Sequence, residues 1–228
     1  MNVPPDGDTT VLPARAVGRP LAVVAACAAV LALLGAGVST GFAPLRDLDT
    51  AVSEALYAGD DRSRALDVLL EVLTAPGLSV FRYVVAVPVL IWLVRRRAWR
   101  TVVWLVVTAV FIRHVTSALK EFFDRVRPAF EDGGAEYGSF SFPSGHSSGI
   151  ATLVTIGLVL AWPQLAPSPR RGWAVLGVLL VLLVGLTRMW LGVHYPSDVV
   201  AGWALGVGWT LLTAVAFGVL PARREDAT

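Results

Sequence analysis

Long apolar runs, separated by connections rich in arginine or in acidic residues, alternate along the chain and set its expected architecture. A helix needs about 20 predominantly apolar residues to cross the hydrocarbon core of a bilayer. Six stretches approach that length: Pro20 to Thr40, Leu78 to Val94, Thr101 to Leu119, Ser144 to Trp162, Gly172 to Trp190 and Asp198 to Leu220. The shorter run Val68 to Leu73, followed by Ala75-Pro76-Gly77, reads as an interfacial helix or helical hairpin. The pattern predicts an all-α, polytopic membrane protein with six transmembrane helices. Residues 1–15, Pro-rich and polar, are expected to be disordered, residues 16–221 to form one transmembrane domain, and residues 222–228 to form a polar tail.

Composition agrees with the pattern. The 228 residues are 55% hydrophobic and 16% charged, whereas soluble domains carry charge on about a quarter of their residues. The run Leu21 to Val38 exceeds a signal-peptide core and lacks a good cleavage site, so it is read as a span. A single cysteine, Cys27, excludes a disulfide framework and a thiolate metal site.

The arginines orient the bundle. Arg15 and Arg19 precede the first run, Arg95, Arg96, Arg97 and Arg100 follow the second, Arg170 and Arg171 follow the fourth, and Arg223 and Arg224 follow the sixth. With six spans all four groups fall on one side, and the positive-inside rule makes that side, with both termini, cytoplasmic. The opposite, extracytoplasmic face then collects the unusual polar chemistry.

Three segments on that face carry it. In "KEFFDRVRP", Lys120 and Arg127 are separated by six residues before Pro128. In "PSGH", Ser144, Gly145 and His146 open an apolar helix. In "TRMWLGVHYPSD", Arg188, His194 and Asp198 follow one another. Cations at the ends of apolar helices must snorkel, pair or face a watery cavity, and interfacial anchoring is the plain alternative for any one of them. Three together, Lys120, Arg127 and Arg188, suit a tetrahedral oxyanion such as phosphate. Gly145 lets backbone approach a ligand closely, so the N–H groups of Ser144 through His146 could face the anion, while Ser144 caps the helix or donates its hydroxyl. His194 and Asp198, four apart, can form a carboxylate-oriented imidazole of the nucleophilic or general-base kind, or simply staple a turn. His114, inside the third span, is read as a packing or supporting residue.

The three segments in this order resemble the type 2 phosphatidic acid phosphatase superfamily, whose pattern is Lys-x6-Arg-Pro, Pro-Ser-Gly-His and Ser-Arg-x5-His-x3-Asp. The chain departs at one position, with Thr187 where Ser is usual. The resemblance implies a six-helix bundle with its site at the outer interface and a metal-independent lipid phosphatase. It implies that His194 is the nucleophile and Asp198 its orienting partner. It further implies that His146 is the general acid and that Lys120, Arg127, Arg188, Ser144 and Gly145 bind phosphate.

Glu121, Asp124, Glu131, Asp132 and Glu136 cluster in sequence without metal-ligand spacing, so neither a metal site nor a cofactor is expected. Expected partners are a lipid phosphate or diphosphate and the surrounding membrane lipids, with no nucleic acid. Vanadium haloperoxidases share the pattern but are mainly soluble. A non-catalytic lipid-binding or transport protein would be expected to lose one of the two histidines or Asp198.

Overall fold

The computed structural model describes residues 14–130 and 138–220. The tail 222–228, the acidic stretch Glu131 to Glu136 and most of the expected N-terminal segment lie outside the described residues; Ala14 and Arg15 instead open the first helix. The described residues are helical, in the order α1 Ala14–Ser39, α2 Ala43–Leu56, α3 Arg64–Thr74, α4 Ser79–Arg95, α5 Trp99–Phe123, α6 Gly145–Ala161, α7 Pro167–Trp190 and α8 Pro196–Ala216.

Five segments are long and apolar enough to cross a membrane alone: Val17–Ser39, Trp99–Phe123, Gly145–Gln164, Ser168–Trp190 and Pro196–Ala216. The expected second span is more irregular than the sequence pattern suggested. It is the 17-residue α4, joined to α3 through a 48° bend, and the pair passes the length test only together. Pro76 and Gly77 break the helix there, since proline and glycine both weaken a helix interior. The stretch read as an interfacial helix is thus α3, whose N-cap Ser63 accepts a hydrogen bond from Leu66 N–H at 3.3 Å.

Successive long helices alternate in direction. One end of the bundle gathers the C-termini of α5 and α7 and the N-termini of α6 and α8, with α2 and α3 laid across it. The other end is filled by an apolar cluster of Leu93, Trp104, Leu105, Ala109, Ile156 and Ala214. Leu33, Val80 and Val84 stand 65–73% exposed on the outer surface, as suits side chains facing lipid rather than water.

Two seams hold the centre. Helices α6 and α8 meet backbone to backbone at Gly202 and Gly206, where an added Cβ would fall 2.6 Å from the Ser144 carbonyl oxygen and 2.4 Å from that of Ser148. Small residues of this kind are what allow close helix contact within a membrane. Helix α5 is tied to α8 and α6 by hydroxyl bonds. Trp104 Nε1 donates to Thr213 Oγ1 at 3.2 Å, Thr108 and Thr213 hydroxyls lie 2.8 Å apart, and Thr116 and Ser148 hydroxyls 3.1 Å apart.

The seam makes a contrast testable. Gly206→Ala should destabilise the protein by about 1–3 kcal/mol, because the clash is with backbone that cannot rotate away. Gly157→Ala, on α6 with nothing within 4 Å of the added carbon, should be neutral or slightly stabilising. Thermal unfolding in detergent reads both, and equal effects would mean that the seam is looser than its contacts.

Candidate active site

Asp198 is the best-buried carboxylate of the site, 0% exposed in the first turn of α8. Its Oδ2 lies 3.3 Å from His194 Nδ1 and accepts the Tyr195 N–H at 2.9 Å, while Oδ1 accepts Arg125 Nη1 at 2.8 Å. The helix N-terminus adds a favourable dipole for a negative charge there. With Nδ1 turned to a carboxylate, the His194 ring carries its proton on that side and offers the Nε2 lone pair outward.

The backbone leading into His194 is sharply turned. Gly192 has φ +66°, in the left-handed region that favours glycine. An added Cβ there would also meet the rings of Tyr57 and Phe130 at 2.7 Å. Those two rings stack with centroids 3.8 Å apart. Tyr57 donates its hydroxyl to Asp60, and burial together with that carboxylate pushes the phenol up to about 12.

His194 Nε2 faces Arg127, whose Nη1 lies 3.3 Å away and also donates to the Val193 carbonyl at 2.7 Å. Arg127 Nε donates to the Ser139 carbonyl at 3.0 Å. Lys120, in the last turn of α5, donates to the carbonyls of Phe140 and Ser141. Arg188, 3% exposed at the end of α7, donates to Thr74 Oγ1 at 3.4 Å. Burial and then the charges of Arg127, Arg188 and Lys120 hold the His194 imidazole well below the ordinary histidine range. The ring is therefore neutral at physiological pH, the state in which nitrogen has a lone pair to give.

The sequence-predicted residues thus come together. Helix α6 brings Ser144, Gly145 and His146 to the same end of the bundle, after the cis Phe142–Pro143 bond. Ser144 is the N-cap of α6, its hydroxyl accepting from Ser147 N–H at 3.4 Å. One expectation is corrected: the Ser144 N–H does not face an anion site, because it donates to the Asp198 carbonyl at 2.9 Å and so locks α6 to α8. The N–H groups of Gly145 and His146, in the first helical turn, are the ones placed where helices bind anions. Thr187 turns its hydroxyl onto the Val184 carbonyl at 2.7 Å, within its own helix, so the departure from serine leaves the site's polar contacts unchanged. His114 is exposed on α5, edge-on to Phe111 at 6.0 Å between ring centroids, and takes no supporting place in the site.

Sequence reasoning missed two residues. Arg125 bridges Asp198 to Asp49 of α2, donating through Nη2 to Asp49 Oδ2 at 2.7 Å and through Nη1 to Ser197 Oγ at 2.7 Å. Its guanidinium also lies 4.0 Å from the centre of the Tyr195 ring. Asp49, 1% exposed, accepts from both the N–H and the hydroxyl of Ser197. Although burial opposes it, the charges of Asp198 and Asp49 raise the Arg125 guanidinium further above its ordinary value.

Comparison with known proteins agrees with this geometry. The PAP2 superfamily profile matches residues 98–220, more than half of the chain. Phosphatidylglycerophosphatase B of Bacillus subtilis is 38% identical over 115 residues, covering 49% of this chain and 55% of that protein. An undecaprenyl-diphosphatase of Sulfolobus acidocaldarius is 43% identical over 67 residues, 29% of each chain. The chain therefore spans about half the length, or less, of these curated relatives. The crystal structure of a transmembrane PAP2 type phosphatidylglycerolphosphate phosphatase from Bacillus subtilis superposes with a TM-score of 0.70 at 27% identity, over 88% of this chain and 98% of that one. With its three motifs on one end of an all-helical bundle and the profile covering most of that bundle, the chain belongs to the PAP2 superfamily, as a multi-pass membrane member.

Arg125→Met should destabilise the protein by roughly 3–5 kcal/mol, the usual effect of stranding a buried charge's partner, here two carboxylates at once. In a double-mutant cycle with Asp49→Asn the combined loss should fall short of the sum by about 1 kcal/mol or more. Additive losses in thermal unfolding would show that the two side chains act separately.

Proposed function

We propose that the protein is a lipid phosphatase that hydrolyses a phosphomonoester or diphosphate of an isoprenoid or glycerolipid through a phosphohistidine. The observation that carries this reading is the placement of His194, whose Nδ1 lies 3.3 Å from Asp198 Oδ2 and whose Nε2 faces Arg127 Nη1 at 3.3 Å. In the first step Nε2 attacks phosphorus and the bond to the lipid oxygen breaks, its electron pair leaving with that oxygen. His146 protonates the oxygen. In the second step water attacks the phosphohistidine, His146 takes its proton, and inorganic phosphate leaves with His194 neutral again.

Lys120, Arg127 and Arg188 bind the phosphoryl oxygens, as do the Gly145 and His146 N–H groups and the Ser144 hydroxyl. Loop-carbonyl contacts hold Lys120 and Arg127, and the Thr74 hydroxyl holds Arg188, in position before substrate arrives. Fixed donors of this kind stabilise charge that grows in the transition state without reorganising. Three cations supply the electrostatics that metal-dependent enzymes obtain from Mg²⁺, so activity should survive EDTA and be inhibited by vanadate, a trigonal-bipyramidal mimic. Loss on chelation with recovery on adding Mg²⁺ would overturn the metal-free mechanism.

The arginine clusters at the end of the bundle remote from the site support an extracytoplasmic active site in the cell membrane, with cytoplasmic termini. In a Cys27→Ser background, single cysteines at Asp61 and at Arg96 should react with membrane-impermeant reagents from opposite sides, Asp61 from outside. Labelling of both from one side would remove the proposed orientation.

The two histidines should separate by leaving group. His194→Ala should form no phosphoenzyme from any substrate. His146→Ala should lose far more activity on an alkyl phosphate than on an aryl phosphate, whose leaving oxygen needs little protonation, and with the aryl substrate it should accumulate an acid-labile phosphohistidine. Phosphoenzyme in His194→Ala, or equal loss on both esters in His146→Ala, would reverse the assignment.

A further inference from the structure

Beside His146 lies a cavity of about 190 Å³ between α4, α5 and the first turn of α6. Lys120 and His146 belong both to its wall and to the phosphoryl site, whereas His194 is not among its lining residues. One wall is a polar stripe on α5, where Arg113, Thr116, Ser117 and Lys120 recur every three or four residues and so share a helix face. Arg113 sits two turns below Lys120, about 10 Å along the helix axis. The facing wall is Ser79 and Arg82 of α4.

Arg82 is the unusual member. It is 2% exposed, although it lies in a run that sequence pattern alone assigns to a lipid-crossing helix. Its Nε donates to the Ala109 carbonyl at 3.0 Å and its Nη2 to Ser79 Oγ at 3.2 Å. Both are neutral acceptors. Among the described residues no carboxylate pairs with Arg82 or with Arg113. A guanidinium stays charged inside a protein, and a buried charge without an opposite charge is costly. Ionisable groups at membrane depth that face a cavity mark the path or binding place of a polar ligand. Arg82, Arg113 and Lys120 together present three positive charges to a space of about six water volumes, enough for one phosphate group.

We infer that this cavity is a second anion site, which holds the lipid-bearing phosphate of a lipid diphosphate as the terminal phosphoryl group passes to His194. The inference rests on the phosphatase reading above. In-line displacement puts the attacking and leaving oxygens or nitrogens on opposite sides of phosphorus. With His194 attacking and His146 meeting the departing oxygen, the leaving group projects past His146, into the cavity. The balance is direct. His194 Nε2 bonds the terminal phosphorus, the bond from that phosphorus to the bridging oxygen breaks, and the electron pair stays on the lipid monophosphate. The new negative charge is met by Arg82, Arg113 and Lys120. An alkyl monophosphate would instead leave a neutral alcohol there and make no use of Arg82 or Arg113.

The test compares farnesyl diphosphate with farnesyl monophosphate in detergent micelles. Wild type should favour the diphosphate in kcat/KM. Arg82→Gln should cut kcat/KM for the diphosphate about 10- to 100-fold, the range for losing a charged hydrogen bond, and for the monophosphate only a few-fold. Arg82→Lys should recover part of the preference. Arg113→Gln, at an exposed position, should narrow the preference about tenfold. Binding is read separately by calorimetry with farnesyl methylenediphosphonate and farnesyl phosphonate, and Arg82→Gln should weaken only the first. Equal losses on both substrates, or no change in diphosphonate binding, would overturn the second site and leave Arg82 as a staple between α4 and α5. If wild type cleaves neither ester, the phosphatase reading is what fails, and the binding comparison still decides the anion site.

Discussion

A carboxylate sealed from water, Asp198, organises this end of the bundle. Its charge can exist there only because α8 offers its N-terminal dipole, Tyr195 an N–H, His194 an Nδ1 hydrogen and Arg125 a guanidinium. Each of those partners brings a segment with it. Tyr195 and His194 fix the turn after Gly192, and Arg125 fixes the chain that leaves α5 and carries Arg127. Through Asp49, the same guanidinium holds α2 across the top. The Asp198 carbonyl also takes the Ser144 N–H, and so sets the start of α6. His194, Arg127 and the start of α6 therefore share one anchor.

The site's electrostatics follow from that arrangement. Two acidic groups, Asp198 and Asp49, lie on one side of His194 and are bridged by Arg125, while Arg127, Arg188 and Lys120 lie on the other. The imidazole sits at the boundary between these fields. Its proton is drawn to the acidic side and its lone pair points to the cationic side. Neutral histidine at physiological pH is thus a consequence of position, without any unusual chemistry in the ring.

Much of this could be read from the chain because the motif residues are spaced along helix ends, where sequence distance maps directly onto space. His194 and Asp198 are four apart, and Ser144 through His146 open one helix. Arg125 and Asp49 escaped notice because their link is tertiary: Asp49 meets Ser197, 148 residues away, and nothing local distinguishes an acidic residue in α2 from a solvated one. Arg82 was hidden within an apolar run that reads as a span. The irregular second crossing was similarly concealed, since hydropathy averages over the Pro76-Gly77 break that bends α3 against α4 by 48°. The Ser144 N–H was misassigned for the opposite reason. A helix N-terminus looks vacant in sequence, and only the packed structure shows that a neighbouring carbonyl already fills part of it.

The glycine seam between α6 and α8 bears on how this centre can move. With backbone in contact at Gly202 and Gly206, the first turn holding His146 and the first turn holding Asp198 form the two jaws of a calliper whose gap is locked. The break between α3 and α4 closes on the same turn from the other side, since a Cβ added at Gly149 would fall 2.5 Å from the Gly77 carbonyl oxygen. The first turn of α6 is thus wedged between two backbone contacts, so the position of His146 is gauged by main chain on both flanks rather than by side chains that could rotate away.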